Sequence, residues 1–357
     1  MKIKEIQVEG YEKVIEAIDK ESNLHCFIAI HNSTLGPALG GTRIYPYNSP
    51  NEALHDVLRL SKGMTNKSAA AQLGLGGGKS VIIANPATDK NEKLLKAFAK
   101  VVDSLKGKYI AAEDVGSTVE DMTVIRSVTP YVAALPTKAS SGDPSRYTSW
   151  GVIKGIQATA MHLWGSDSLE GKRVAIQGLG HVGSKLAEHL FWLGADLIVT
   201  DTDTDRLEYA QQTFNATISS PEDIFSVDCD IFAPCAMGGI VNPETIPQFK
   251  CKAIAGAANN QLLSNEDGEL LLKRGILYAP DYIINSGGII NVSVEFSPDG
   301  YNPKIALQKV NMIYDNLLVI YKNSTKEHKP TSQVAEELAN YNLENKIEQR
   351  TRPIEFI

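Results

Sequence analysis

Apolar positions along the chain alternate between helical and strand spacing. Val14, Ile15 and Ile18 recur as on one helical face and predict a short helix over 11–20. Residues 26–31 are continuously apolar up to His31 and read as a strand. Gly36 to Thr42, with three glycines and a proline, reads as a break in regular structure. Residues 50–64 carry Leu54, Val57, Leu58 and Leu60 and predict a helix. A glycine-rich stretch follows, then a strand over 81–84, a helix over 90–106 with Leu94, Leu95, Phe98, Val101, Val102 and Leu105 spaced for one buried face, and a strand over 109–112. Residues 140–145 are polar and turn-rich and are the candidate hinge, taken as far as Thr148.

The second half begins with a predicted helix over 150–164, capped by Ser149 or Thr148. A strand over 172–177 leads into Gly178-Leu179-Gly180-His181-Val182-Gly183, an apolar-periodic helix to Leu193, and a strand over 197–200 ending at Asp201. This is the dinucleotide fingerprint in its required order of strand, glycine turn, helix, strand and acid. Gly178, Gly180 and Gly183 permit the tight turn and the approach of a pyrophosphate to the helix start at Val182 and Gly183. Asp201 follows Gly178 by 23 residues, where an acid accepts hydrogen bonds from the adenosine ribose and repels a 2′-phosphate. Asp203 and Asp205 strengthen NAD over NADP, and Arg206 weighs the other way. Further strands are expected near 231–235, 253–256 and 276–281, and two helices near 303–322 and 332–350. The fold class is therefore α/β, with the second half a Rossmann doubly wound sheet.

The stretch from Lys62 to Asp114 carries the other chemistry. Lys67 and Lys79 bracket Gly74, Gly76, Gly77 and Gly78, and Glu113-Asp114 closes the next strand. Glycines let another molecule approach the backbone, and a lysine placed there meets a carboxylate or moves a proton. Gly78-Lys79-Ser80 imitates the end of a nucleotide P-loop, but Leu73 stands where its first glycine belongs, and β-branched Val81-Ile82-Ile83 replaces the helix it needs.

Composition narrows the picture further. The chain has 357 residues, 43% hydrophobic and 22% charged, which suits a globular protein of two domains. A net charge of -7 gives no general attraction to nucleic acid or anionic membrane. Cys26, Cys229, Cys235 and Cys251 form no C-x-x-C pair, and the histidines show no ligand spacing, so no metal is expected. Reduced thiols, no signal-like N-terminus and no long apolar run predict a cytoplasmic protein.

Several separated motifs resemble the amino-acid dehydrogenases for glutamate, leucine, phenylalanine and valine. They are Thr34 to Arg43, Gly63 to Lys67, Leu75 to Lys79, Ala112 to Gly116, Ala233 to Ala236, Ile254 to Gln261 and Ala279 to Gly288. The resemblance implies two domains separated by a cleft: a substrate and oligomerisation domain over 1–138, with a C-terminal helix about 325–357 packing back on it, and an NAD-binding domain over 139–324. It implies Lys67 on the substrate carboxylate, Lys79 as catalytic lysine and Asp114 as its proton-transfer partner. Leu39, Gly40, Met64, Ala112 and Val292 would line the substrate cleft, and Asn260 and Thr148 would lie near the nicotinamide. The loop departs from the family wording at Arg146-Tyr147, where a proline and a small apolar residue are expected.

The implied reaction is reversible oxidative deamination of an L-amino acid with NAD to a 2-oxo acid, ammonium and NADH. Physical chemistry agrees with those roles. Hydride loss from Cα leaves an iminium carbon that water attacks, and the protons released need a base near neutral pH. An ordinary lysine titrates near ~10.4, and burial or a neighbouring cation lowers that value. The apolar cleft residues favour leucine, valine and isoleucine, with phenylalanine or tryptophan as the alternative. A non-catalytic NAD sensor on the same fold is the other class of reading, and the intact Lys67, Lys79 and Asp114 weigh against it. The resemblance also implies a homo-oligomer, often an octamer.

Overall fold

The structure is a computed structural model that describes residues 1–137, 140–354 and 356. Contacts divide it into two compact units: 1–143 with 292–303 and 339–357, and 144–291 with 304–338. The boundary expected between 138 and 139 falls outside the described residues. The long-range contacts also assign the terminal segments differently from three consecutive spans. Residues 292–303 group with the first unit and 304–338 with the second.

The first unit is built on a six-stranded sheet in the order β1-β2-β3-β5-β4-β6. Its strands are β1 (Lys2–Ile6), β2 (Lys13–Asp19), β3 (Leu24–Asn32), β4 (Ala38–Tyr45), β5 (Gly76–Ile83) and β6 (Tyr109–Glu113). The antiparallel pairs β1·β2, β2·β3 and β3·β5 meet a parallel set in which β4 pairs with both β5 and β6. Helix α1 (Pro50–Ala70) covers one face, where Ala53 and Val57 pack with Val14, Phe27, Ala29 and Val81. Helices α2 (Glu92–Ser104) and α3 (Val119–Arg126) cover the other, where Phe98 and Met122 join Ile15, Cys26, Ile28 and Ile82. Layers on both faces explain why β3 is apolar without alternation.

Three expectations need correction here. Residues 11–20 form β2 rather than a helix. Val14 and Ile15 enter opposite layers, and Ile18 is 38% exposed. A short apolar run fits either period, and hydrogen bonding to β1 and β3 decided for the strand. Residues 38–42 do not break regular structure but run through β4. A β-carbon on Gly40 would lie 1.9 Å from the Gly78 carbonyl oxygen, so this glycine serves strand contact rather than a turn. Helix α1 continues six residues past Met64 because Thr65, Ser68, Ala69 and Ala70 are small enough to bury on the sheet. It begins as its sequence dictates, with the Ser49 side chain accepting from Glu52 N and Pro50 in the first turn.

The second unit carries a parallel sheet in the order β12-β11-β10-β7-β8-β9. Helix α4 (Ser145–Trp164) precedes β7 (Arg173–Gln177), α5 (Gly183–Trp192), β8 (Asp196–Thr200), α6 (Thr204–Phe214) and β9 (Thr217–Ile218). Then come β10 (Ile231–Pro234), β11 (Ala253–Ile254), α7 (Glu266–Lys273), β12 (Leu277–Tyr278), α8 (Asp281–Ile284) and α9 (Gly287–Ser293). The chain finishes with α10 (Pro303–Glu327) and α11 (Thr331–Glu344).

Helix α4 starts a turn earlier than its apolar period, and neither expected cap caps it. The Thr148 hydroxyl donates to Pro144 O at 3.0 Å and the Ser149 hydroxyl to Arg146 O at 2.9 Å. Both hydroxyls bond back into the helix, an alternative open to serine and threonine.

Candidate active site

The first unit gathers Lys79, Asp114 and Arg43. Asp114 follows β6, Lys79 lies in β5, and β4 runs between those strands. Ser80 stands level with Thr42, so Lys79 falls level with Gly41. A β-carbon on Gly41 would lie 2.7 Å from the Asp114 β-carbon. Because Gly41 has no side chain, the Lys79 ammonium crosses β4 and pairs directly with Asp114 Oδ2.

The Asp114 backbone is pinned as firmly as its side chain. Its N–H donates to the Ser117 hydroxyl at 2.9 Å, and that hydroxyl donates to Thr42 O at 2.7 Å. Gly116, at φ +79, completes the turn, since a β-carbon there would lie 2.0 Å from Ile44 O. Beneath the pair, the Tyr109 hydroxyl donates to Gly40 O at 2.8 Å and reaches Ser80 at 3.0 Å.

Lys79 is only 6% exposed. Burial works against a charged Asp114, but the ammonium of Lys79 and the guanidinium of Arg43 outweigh it and hold the carboxyl below its ordinary value. An anion beside an enclosed lysine can accept, relay or steady a proton.

Lys67 lies on α1 and is half-buried. The helix packs tightly on β5 two residues before it. A β-carbon on Gly77 would lie 2.1 Å from the Thr65 nitrogen, and Thr65 and Gly77 each stand two residues before a lysine of interest. The Thr65 hydroxyl is fixed in turn by His31 Nδ1 at 2.8 Å.

The expected lining residues divide among elements. Leu39 and Gly40 lie in β4, with Leu39 level with Gly77 and Ile110, and Gly40 level with Ala111. Ala112 lies in β6, and Met64 in α1 beside Thr65. Val292 is 5% exposed and lies in α9, in the stretch that groups with the first unit.

The second unit places the residues expected to hold a dinucleotide at the C-terminal ends of its strands, where open parallel sheets hold ligands. Gly178 turns at φ +97, and Gly183 packs so tightly that a β-carbon would lie 1.9 Å from Gly178 O. A β-carbon on Gly180 would instead meet only Arg206 Nη1, at 4.0 Å, so this is the glycine with room for a ligand to approach. Val182 occupies the N-cap position of α5, and no side chain caps that helix. Asp201 accepts from the Leu179 N–H and, at 2.9 Å, from the Asp203 N–H, which holds its carboxylate at the strand end. Arg206 reaches Asp201 at 3.9 Å and Asp203 at 3.1 Å. The pattern of packed and open glycines beside a fixed carboxylate fits NAD.

Neighbouring loops extend that rim toward Asn260 and Thr148. Gly178 abuts Ala236, and a β-carbon on Gly238 would lie 2.6 Å from Asn259 O. Asn260 adopts φ 51, a left-handed conformation that asparagine tolerates, and its N–H donates to the Asp281 carboxylate. Asn285 Nδ2 donates to Asn259 Oδ1 at 2.8 Å, and Gly288 packs on the Thr148 hydroxyl. Arg146, the departure from the family wording, is exposed.

Sequence reasoning assigned no role to Arg43, which the structure places 3.5 Å from Asp114 through its Nε. The available signal was a lone cation in a strand otherwise made of small and apolar residues. Among the described residues, no cluster of three or more histidine, cysteine or acidic side chains is arranged for a metal, and no helix is long and apolar enough to cross a membrane.

Comparison with known proteins finds matches to both halves of the chain. Residues 10–131 match the family model for the Glu/Leu/Phe/Val dehydrogenase dimerisation domain, and residues 199–349 match that for Glutamate/Leucine/Phenylalanine/Valine dehydrogenase. Leucine dehydrogenase of Geobacillus stearothermophilus is 50% identical over 342 residues, covering 96% of this chain and 93% of the relative. Phenylalanine dehydrogenase of Lysinibacillus sphaericus is 47% identical over 324 residues, covering 89% and 84%. The crystal structure of L-tryptophan dehydrogenase from Nostoc punctiforme superposes with a TM-score of 0.81 at 44% identity, over 94% of this chain and 97% of that one. Two family models spanning more than half of its residues, and relatives this similar along nearly its whole length, place the chain in the Glu/Leu/Phe/Val family of amino-acid dehydrogenases.

Proposed function

We propose that the protein catalyses NAD-dependent oxidative deamination of leucine, and of valine and isoleucine, to the 2-oxo acid, ammonium and NADH. The observation that carries the reading is the enclosed Lys79–Asp114 pair among glycine backbones, in a chain half-identical to leucine dehydrogenases. NAD would supply the hydride acceptor when bound; Gly178, Gly180, Val182, Gly183 and Asp201 would hold its dinucleotide, and Thr148 and Asn260 would serve its nicotinamide. The first unit supplies the rest. Lys67 stays charged and orients the substrate carboxylate, a task worth up to ~7–11 kcal/mol when it aligns the reacting atoms. Lys79 takes a proton from the water that attacks the iminium carbon, and Asp114 relays protons and steadies the ammonium product. Leu39, Gly40, Met64, Ala112 and Val292 form the wall against the substrate side chain.

Relatives named for phenylalanine and tryptophan, at 47% and 44% identity, favour an aromatic substrate as the second reading. A methylene difference in an apolar pocket is worth only ~1–3 kcal/mol, so substrates should overlap. A panel of branched, aromatic and acidic amino acids, followed by NADH absorbance with NAD and with NADP, decides between them. The highest kcat/KM is expected for leucine with NAD. A preference for phenylalanine or tryptophan would overturn the branched-chain assignment, and no turnover of any amino acid would overturn the whole reading.

We further propose that the protein assembles as an octamer, on the likeness to its family. Light scattering should return a mass near eight chains, and a monomer would refute it.

A further inference from the structure

We infer that Arg43 is a positioning residue for the deamination chemistry: it holds the Asp114 carboxylate as a permanent second cation and is itself anchored by Asp56. This rests on the reading of Lys79 and Asp114 as the proton-handling pair.

The geometry is a chain of charges running from the site into the first unit. Arg43 Nε faces Asp114 Oδ2 at 3.5 Å, while Arg43 Nη1 donates to Asp56 Oδ2 at 2.9 Å. Asp56, on α1, also receives the Tyr47 hydroxyl at 2.6 Å and Arg59 Nη2 at 2.9 Å on its other oxygen. The guanidinium is therefore tethered at its far end and presents its remaining edge to Asp114. Both Arg43 Nε and Asp114 Oδ2 are buried and make their ion pair without a hydrogen bond of good geometry. The donor is in place and unspent, ready for a small movement of the carboxylate.

The need for it follows from the proton cycle. When Lys79 gives up a proton, its charge disappears beside a buried carboxylate. A buried ion stripped of its only partner is strongly disfavoured, and Asp114 would relieve the cost by taking that proton itself. Arginine does not deprotonate in proteins, so Arg43 keeps Asp114 from retaining that proton: the carboxylate hands it on to the departing amine or to water and returns to its anion. The groups facing Asp114 are Lys79 from β5, Arg43 from β4, and Glu113 and Tyr109 from β6, with Asp56 behind Arg43. Glu113 is itself pushed up, by burial first and then by Asp143, Glu120 and Asp114. Lys79, Arg43 and the Val115 N–H favour the anion, and of the two full charges among them Arg43 is the one that persists throughout the cycle.

Arg43→Gln removes the charge and keeps a polar side chain. Its acid limb of kcat/KM should move up by about one pH unit or more, as expected on losing one of two opposite charges within reach. Its kcat at neutral pH should fall about tenfold or more, with the NAD dissociation constant unchanged. Arg43→Lys, which keeps the charge, should leave the acid limb near the wild-type position. Asp56→Asn, which frees the anchor and keeps the charge, should lower kcat without raising the limb, and it carries the test should the glutamine variant not fold. An acid limb unmoved in Arg43→Gln, or Asp56→Asn with wild-type kcat, would overturn the role of Arg43. A wild-type protein that turns over no amino acid would instead remove the dehydrogenase reading beneath it.

Discussion

Lys79→Ala lowers turnover of leucine by ~10²–10⁴-fold, the usual worth of a placed proton-transfer group. NAD binding should be retained, because every residue proposed to hold the dinucleotide lies in the second unit while Lys79 lies in β5 of the first. The comparison is made with NADH absorbance for turnover and calorimetry for cofactor. Undiminished kcat would exclude Lys79 from the chemistry. The same substitution has a pH signature in stability. Asp114 is held below its ordinary value in the folded protein, so its contribution is present above the unfolded-state value of about 3.9 and is lost as pH falls through the lower folded one. Removing Lys79 leaves burial opposed only by Arg43 and the Val115 N–H and raises the folded value. Acid unfolding, followed by circular dichroism, should therefore begin at a higher pH in Lys79→Ala than in wild type. It should remain cooperative, since Asp114 keeps one charged partner.

Gly77→Ala damages both fold and site with a single methyl group. Its β-carbon would lie 2.1 Å from the Thr65 nitrogen and hydroxyl and 2.4 Å from the Thr65 α-carbon. Two of these are backbone atoms of α1, so no side-chain rotation relieves the clash. Either β5 or α1 must shift by about an ångström. Overpacking of this kind costs ~1–3 kcal/mol, and the upper end is expected here. The shift also changes the relation between Lys67 on the helix and Lys79 on the strand, and a misplacement of ~1 Å costs about 10²-fold in rate. Gly63→Ala on the same helix is the control. Its β-carbon meets nothing within 4 Å, and alanine in a helix interior is worth up to ~1 kcal/mol over glycine. Denaturant unfolding should separate the two variants in opposite directions. Equal stability of both would mean that the α1–β5 contact tolerates a methyl group and does not hold the site.

The dinucleotide half was the more legible. Its chemistry is local: the glycine turn, the helix start at Gly183 and Asp201 all lie within one strand–helix–strand unit, and each residue type answers a requirement of its own backbone. The first half was legible in its residues but not in its connections. Lys79 and Asp114 stood out as unusual side chains near strand ends, yet their pairing depends on β4 entering the sheet between β5 and β6. Reading Gly40 and Gly41 as a chain break concealed that strand and, with it, the reason the ammonium can cross to the carboxylate. Arg43 was overlooked for the same cause, because its partners Asp56 and Asp114 come from a helix and a loop that only folding brings to it.

What the sequence determined by itself was the alternating α/β character and the dinucleotide fingerprint, since periodicity and local backbone needs are written residue by residue; the roles proposed for Lys79 and Asp114 came from the likeness of their motifs to a family. Tertiary structure alone decided that residues 13–19 are a strand, that glycines 40, 41 and 77 are contact points, and that Lys79 meets Asp114 under the charge of Arg43. Those outcomes depend on close approach between segments distant in the chain, and the steric and electrostatic terms that select them do not exist until the segments meet.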